Sequence, residues 1–292
     1  MVDYGELIRE IVEDRVSGAS KLTIKAAYLI LKVVEANPSI ETLRRIVQVI
    51  SRARPSMPSI ANISALIFSI AEAEYTEGAD LVKAVERAVR DAVREYQEDV
   101  RTVIDRGVAI LSRYSSILTH SYSSSVAAVL EKIGEAGARI IVTESRPGLE
   151  GVRLAERLAN KGIEVYLVVD AAAAYVLEDV EAVAVGCDAL LEDASFLNKI
   201  GTRMLALASR ELNRPFYVVS DLWKAAVYGV EVEEHDPKEV YSGESNVNAL
   251  NPYFEITPSN LATGYITEKG VLKPGELRKV LKEVWVRFGS MM

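Results

Sequence analysis

The chain has 292 residues, of which 49% are hydrophobic and 26% are charged, and its formal net charge is −8. This length is enough for about two domains with sizeable apolar cores, and the composition excludes a largely disordered chain. The acidic balance argues against a generally basic nucleic-acid binder. Because no run of about 18 apolar residues is present, the sequence predicts no transmembrane helix.

The N-terminal residues indicate where the protein is located, and the cysteine and histidine content indicates whether it binds a metal. Met1 to Glu6 carries acidic residues where a signal peptide would carry basic ones, so we expect a cytoplasmic protein. Cys187 is the single cysteine, which excludes an intrachain disulfide and a cysteine-based zinc site. His120 and His235 are too few for a histidine-rich metal site. We therefore expect no metal and no cofactor.

Residues 1–105 predict a helical N-terminal domain. The clearest helix runs from Asp80 to Ile104, where apolar residues recur at steps of three and four and so share one face. Asp80 is a predicted N-cap of this helix, and Ser39 is a predicted N-cap of an earlier one.

Residues 106–292 predict a Rossmann-like α/β domain with a doubly wound parallel sheet. Short apolar, β-branched runs alternate with helical segments, as in parallel strands that are covered on both faces. The predicted strands are 116–119, 139–143, 164–169, 182–186 and 216–220. Residues 198–212 predict one of the helices, 251–258 predict an extended segment, and 274–288 predict a closing helix.

Ligands of such sheets bind beyond the carboxyl ends of the strands, where helix N-termini converge. Neither the dinucleotide pattern GxGxxG nor the phosphate loop GxxxxGK[ST] is present, so the fold class alone indicates no function. One polar segment, Leu118 to Ser125, follows the first predicted strand. Its hydroxyls and the N–H groups near Ser123 could hold a phosphate, or Ser123 could simply cap the helix. We expect His120 to be a hydrogen-bonded structural residue and not a base.

Two further polar segments follow later strands. In Thr143 to Gly151, Arg146 could clamp an anion, or it could pair with Glu144 or Glu150. The second of these segments is Gly186 to Asp188. Asp188, at the end of a predicted strand, is a candidate general acid or base, or the cap of a turn.

A fourth segment, Asn198 to Thr202, opens a predicted helix. Lys199 there would place a cation beside the positive end of the helix, which is mildly unfavourable. A bound anion would relieve this cost, so the position favours a ligand role.

Taken in order, these segments carry a resemblance. They are Thr143 to Gly151, Gly186 to Asp188, Asn198 to Thr202, Asn251 to Pro258 and Ile266 to Val271. The series resembles the family shared by the alpha, beta and delta regulatory subunits of translation initiation factor 2B and the aldose phosphate isomerases. Those isomerases act on methylthioribose-1-phosphate or ribose-1,5-bisphosphate. The resemblance covers residues 106–275, reaches the helical half through Arg54-Pro55-Ser56, and implies a helical domain before a dimerising Rossmann-like domain.

The resemblance also implies roles for individual residues. In the isomerases the series supplies an acid, which falls on Asp188, and substrate contacts, which fall on Asn198 and Lys199. Arg54 matches a phosphate-binding arginine of an Arg-Pro-Thr motif, although Ser56 replaces the threonine. With Ser123 and Arg146, these form the predicted ligand-binding set.

Three departures from the isomerase pattern affect the predicted chemistry. Ser121 replaces the isomerase cysteine, and a hydroxyl is a far weaker acid than a thiol. Ser17-Gly18-Ala19 replaces Arg-Gly-Ala, so a cation is lost. Glu150 replaces the glutamine of methylthioribose-1-phosphate isomerase and would repel a sugar phosphate. Thr119 to Ser123 instead is similar to the Thr-His-Ala-Tyr-Ser segment of the alpha regulatory subunit.

We therefore predict a non-catalytic, archaeal-type regulatory subunit of the initiation factor 2B family that acts by protein–protein interaction. The expected partners are a second copy in a homodimer, initiation factor 2 or another 2B-type subunit, and a sugar phosphate or nucleoside monophosphate; no membrane or direct nucleic-acid contact is expected. The apolar residues Tyr253, Phe254, Ile256 and Tyr265 favour the homodimer. The alternative is an isomerase of ribose-1,5-bisphosphate or methylthioribose-1-phosphate. In that case Asp188 is the general acid/base and Ser121 takes the place of the thiol.

Overall fold

The structure, a computed structural model, describes residues 4–14, 18–232, 235–289 and 291. The chain divides into two compact units. The first comprises residues 1–99, 222–231 and 280–292, and the second comprises residues 100–221 and 232–279. This grouping differs from the predicted division after residue 105, which assigns 222–231 and 280–292 to the C-terminal domain. The domain boundaries themselves stay a prediction.

The first unit is helical, as expected. Its helices are α1 Tyr4–Val12, α2 Ala19–Ala36, α3 Ile40–Ser51, α4 Pro58–Thr76 and the first part of α5 Leu81–Leu111. The predicted caps are present. The Ser39 hydroxyl accepts the N–H of Thr42 at 3.0 Å, and Oδ1 of Asp80 accepts the N–H of Lys83 at 3.1 Å. The predicted apolar face of α5 is buried at Val85, Val89, Ala92 and Tyr96.

The segment around Trp223 belongs to the helical unit because of its packing. The Trp223 ring meets Tyr96 edge-on at 5.6 Å between centroids and Phe288 at 5.3 Å. Its indole N–H donates to Asp99 at 2.8 Å. The Asn62 amide donates to the carbonyls of Trp223 and Ala225 at 2.7 and 2.9 Å, so the segment's backbone is satisfied by α4.

The second unit contains a seven-stranded sheet in the order β10-β9-β7-β4-β1-β2-β3. The strands of this sheet are β1 Ser116–Thr119, β2 Arg139–Thr143, β3 Val165–Val168, β4 Ala182–Val185, β7 Phe216–Val219, β9 Gly264–Thr267 and β10 Gly270–Leu272. Neighbouring strands are parallel, except that β10 runs antiparallel to β9. The predicted doubly wound, Rossmann-like sheet is therefore confirmed.

The sheet is covered by apolar helix faces. The helices of this unit are α6 Ser124–Glu135, α7 Glu150–Ala159, α8 Ala173–Val176, α9 Thr202–Glu211 and α10 Pro274–Gly289, whose later residues belong to the first unit. Ile117, Ile140 and Val142 of the sheet share a buried core with Val126 and Leu154 of α6 and α7. Strand β1 lies between β2 and β4, so the chain reverses its winding at β1, and the carboxyl ends of these strands border the crevice where such folds bind ligands.

A second, three-stranded antiparallel sheet corrects one predicted element. It consists of β5 Ala189–Leu190, β6 Phe196–Lys199 and β8 Phe254–Thr257 in the order β5-β6-β8. The predicted helix from residue 198 begins only at Thr202, because Asn198 and Lys199 pair with Glu255 and Phe254 of β8. The predicted extended segment 251–258 is confirmed by β8. None of the described helices combines the length and apolar character needed to cross a membrane.

Candidate functional site

Three polar side chains and one glycine lie at the carboxyl ends of the central parallel strands. His120 follows β1, Thr143 ends β2, Asp170 follows β3, and Gly186 follows β4. Gly186 allows a close approach: a Cβ added there would lie 2.5 Å from the Cβ of Ser123. The loop that carries Asp188 therefore begins directly against the N-terminus of α6.

His120 is hydrogen-bonded on both ring nitrogens, as the sequence predicts. Nε2 lies 2.8 Å from the carbonyl oxygen of Ile200, so Nε2 carries the proton and donates it. Nδ1 then accepts from the Thr143 hydroxyl at 2.6 Å. Burial lowers the pKa of His120 below its usual value, so the ring is neutral at pH 7. The ring therefore links the end of β1 to Thr143 of β2 and to the backbone of Ile200. That His120 is structural and not a base stays a prediction.

Ser121 adopts a left-handed backbone conformation, with φ of 68°, directly after His120. Its N–H donates to the Ser145 hydroxyl at 2.7 Å. Within residues 4–14, 18–232, 235–289 and 291, no hydrogen-bond partner lies next to the Ser121 hydroxyl, and both nitrogens of His120 are engaged elsewhere. Among the residues that the structure describes, no base is therefore hydrogen-bonded to the Ser121 hydroxyl.

The loop after β2 is held by a carboxylate that the sequence analysis missed. Asp170 accepts the N–H of Ser145 at 2.8 Å and the N–H of Arg146 at 2.7 Å. The available signal was that Asp170 follows a predicted strand just as Asp188 does. Arg146 is exposed and donates to the carbonyl of Glu239 at 3.4 Å, and in the described chain it pairs with neither predicted glutamate.

Lys199 is enclosed by a glutamate and a tyrosine. Nζ of Lys199 lies 3.0 Å from Oε1 of Glu150 and 3.1 Å from the centre of the Tyr253 ring. The Tyr253 hydroxyl donates to the same glutamate oxygen. Burial lowers the pKa of Lys199 and the charge of Glu150 raises it, with a net lowering; burial and the Glu150 hydrogen bond raise the pKa of Tyr253.

This geometry corrects the physical argument for a ligand at Lys199. The lysine ends a strand and does not open the helix, and its charge is balanced by Glu150. The N-terminus of α9 is capped from within the chain, because Oε1 of Glu255 accepts the N–H groups of Gly201 and Arg203 at 2.7 and 3.0 Å. No anion is therefore needed to relieve a cost there, and a ligand role for Lys199 stays a prediction.

The other predicted site residues have these positions. Ser123 caps α6 by accepting the N–H of Val126 at 3.5 Å, and the buried Asn198 amide donates to the Thr202 hydroxyl at 2.9 Å. The half-buried Asp188 acts electrostatically on Lys199. Arg54 lies in the first unit, where it donates to the carbonyl of Asp14 at 3.2 Å, and Ser17 lies outside the described residues.

Comparison with known proteins places this arrangement in a family. A ribose 1,5-bisphosphate isomerase from Archaeoglobus fulgidus is 30% identical over 287 residues, which cover 94% of this chain and 91% of the relative. A structure of a Pyrococcus horikoshii translation initiation factor eIF-2B has a TM-score of 0.81 at 28% identity and covers 94% of this chain and 98% of its own. A 5-methylthioribose 1-phosphate isomerase structure from the same organism has a TM-score of 0.77 at 28% identity, covering 96% and 88%. Residues 15–274 match the model of the Initiation factor 2 subunit family, and the chain belongs to that family.

Proposed function

We propose that this chain is a non-catalytic, regulatory member of its family that binds a phosphorylated small molecule. The observation that carries the proposal is the environment of Ser121. Isomerisation of an aldose phosphate moves a hydrogen between neighbouring carbons and needs positioned groups with suitable pKa values to give and take protons. A hydroxyl that is not hydrogen-bonded to a base is not activated for such work, and both nitrogens of His120 are engaged by Thr143 and Ile200.

Ligand binding is supported by what surrounds the crevice. The N-terminus of the 12-residue helix α6 lies beside the loop that carries Asp188, and its backbone N–H groups favour an anion. Arg146 is an exposed cation on the loop after β2. We propose that Ser123 and Arg146 bind the phosphate and that Asp188 and Asn198 orient the rest of the ligand, with Lys199 as a further contact; the phosphate-binding role of Arg54 stays a prediction from the resemblance.

The second candidate function is isomerisation of ribose-1,5-bisphosphate or methylthioribose-1-phosphate. The names of the relatives support this alternative at least as well as the non-catalytic function, since proteins named as isomerases of both kinds match nearly the whole chain. In this case Asp188, at the carboxyl end of β4, is the general acid/base. Ser121 then contributes no more than a hydroxyl.

One experiment separates the two functions. Each candidate substrate is incubated with the parent protein and with Asp188→Asn, and product is followed by NMR, while ligand binding is followed by thermal shift. We expect binding without turnover. Turnover that Asp188→Asn abolishes would establish the isomerase, and absence of both binding and turnover would leave neither proposal standing.

We also propose that the second unit forms a homodimer, with initiation factor 2 or another 2B-type subunit as further partners. One of the four apolar residues predicted to favour the homodimer is not available for it, because Tyr265 is fully buried and packs against Phe196. Better support comes from the edge strand β3, where Tyr166 and Leu167 are exposed and Val169 follows them. Light scattering at micromolar concentration tests the dimer, and a monomer would contradict it.

A further inference from the structure

The charge of the buried Lys199 ammonium is balanced by the side chains around it. It contacts Glu150 on one side and the face of Tyr253 on another. The opposite face of the Tyr253 ring is covered by His235, whose ring is stacked on it at 3.6 Å and 10°. The Lys199 side chain is only 2% exposed, so its charge is satisfied by these groups and not by water.

Other charged side chains also act at this point of the crevice: Arg153 acts electrostatically on Tyr253, and two more carboxylates act on Lys199. Besides Glu150, the carboxylates of Asp188 and Glu239 act electrostatically on Lys199. Glu239 is held in place by the Asn251 amide, which donates to its Oε2 at 3.1 Å. The neutral His120 adds no positive charge. A phosphate that approached Lys199 would therefore meet the negative charge of Glu150 first and would have to displace it.

The second oxygen of Glu150 is satisfied by nothing that the structure describes. Oε1 receives both the Lys199 ammonium and the Tyr253 hydroxyl, whereas Oε2 is buried and, within the described residues, accepts no hydrogen bond. An unsatisfied carboxylate oxygen favours a neutral donor such as a sugar hydroxyl over a second anion.

We propose that Glu150 makes this crevice selective for ligands with one phosphate, so that a pentose monophosphate binds more tightly than the bisphosphate of the same sugar. The inference rests on the proposed function, since it specifies the ligand class of the same site. One phosphate binds at the N-terminus of α6, and the uncharged end of the sugar lies toward Glu150. A second phosphate at that end is repelled.

Calorimetry with ribose 5-phosphate and ribose 1,5-bisphosphate, at constant ionic strength, tests this selectivity. We expect the parent protein to bind the monophosphate about tenfold more tightly than the bisphosphate. In Glu150→Gln this ratio of affinities should fall by a similar factor or be reversed. Glutamine keeps the size of the side chain and an acceptor for Lys199 while it removes the charge. The matched control is Glu156→Gln, which removes a charge from an exposed position of α7 and should leave the ratio unchanged.

The ratio of the two affinities is measured in the parent protein without any variant. The selectivity can therefore be tested even if Glu150→Gln fails to fold. A parent that binds the bisphosphate as tightly as the monophosphate overturns the selectivity, and so does a Glu150→Gln ratio equal to that of the parent. If neither sugar binds the parent or the folded variant, the proposed function fails, and this inference fails with it.

Discussion

Nζ of Lys199 lies 3.0 Å from Oε1 of Glu150, although 49 residues separate the two in the chain. The pair joins the end of β6 to the first residue of α7, and both side chains are largely removed from water. Because either charge alone would be buried without a counter-charge, the two residues depend on each other.

Lys199→Met should therefore destabilise the protein by about 3–5 kcal/mol, since it leaves the Glu150 carboxylate buried and unpaired. Urea unfolding measures this change. The additional substitution Glu150→Gln should recover part of the loss, which a double-mutant cycle quantifies. The control is Lys269→Met in the exposed turn before β10 and should change stability by less than about 0.5 kcal/mol. Equal effects at the two lysines would contradict a buried ion pair.

The pH dependence of stability should carry a contribution from His120. Its pKa is lowered by burial, so the unfolded chain takes up a proton at a higher pH than the folded protein does. Stability is therefore lost as the pH falls through about 6.5 toward the folded pKa, by up to about 1.4 kcal/mol per pH unit. The free energy of unfolding, measured from pH 7.5 to 5, should fall more steeply in the parent than in His120→Gln. Parallel curves would show that His120 is not desolvated.

Asp170→Asn should loosen the loop after β2. The parent carboxylate accepts two backbone N–H groups, from Ser145 and Arg146, and an amide has one acceptor oxygen for them. A loss of about 1–3 kcal/mol is expected from urea unfolding. The same substitution at the exposed Asp179 should have little effect. Faster amide hydrogen exchange at residues 145 and 146 would locate the change, and unchanged exchange there would argue against this contact.

Gly151→Ala should be destabilising because α7 approaches β2 closely. A Cβ at Gly151 would lie 1.8 Å from the carbonyl oxygen of Thr143. This oxygen belongs to the backbone of β2, so relieving the clash requires a shift of the strand or of α7. We expect a loss of at least about 2 kcal/mol in thermal or urea unfolding. Gly275→Ala in α10 is the matched control, since no more distant part of the described chain comes within 4 Å of its added Cβ. A stable Gly151→Ala protein would require a different packing of α7.

The sequence by itself determined the features that depend on local periodicity. The apolar steps of three and four along α5 and the short β-branched runs at β1, β2 and β4 indicate helix and covered parallel strand, because each pattern lies within one segment. The polar loops after these strands were located by the same argument, since parallel strands end at a common edge.

Only the tertiary structure decided what those polar residues do. The sequence around Lys199 fits a helix start, yet β8, more than 50 residues later, pairs with it as a strand, and Glu150 balances its charge. Trp223 joins the helical unit because Asn62 and Asp99 satisfy its polar groups. Hydrogen bonds and ion pairs between distant parts of a chain leave no periodic pattern, so their partners are known only once the chain has folded.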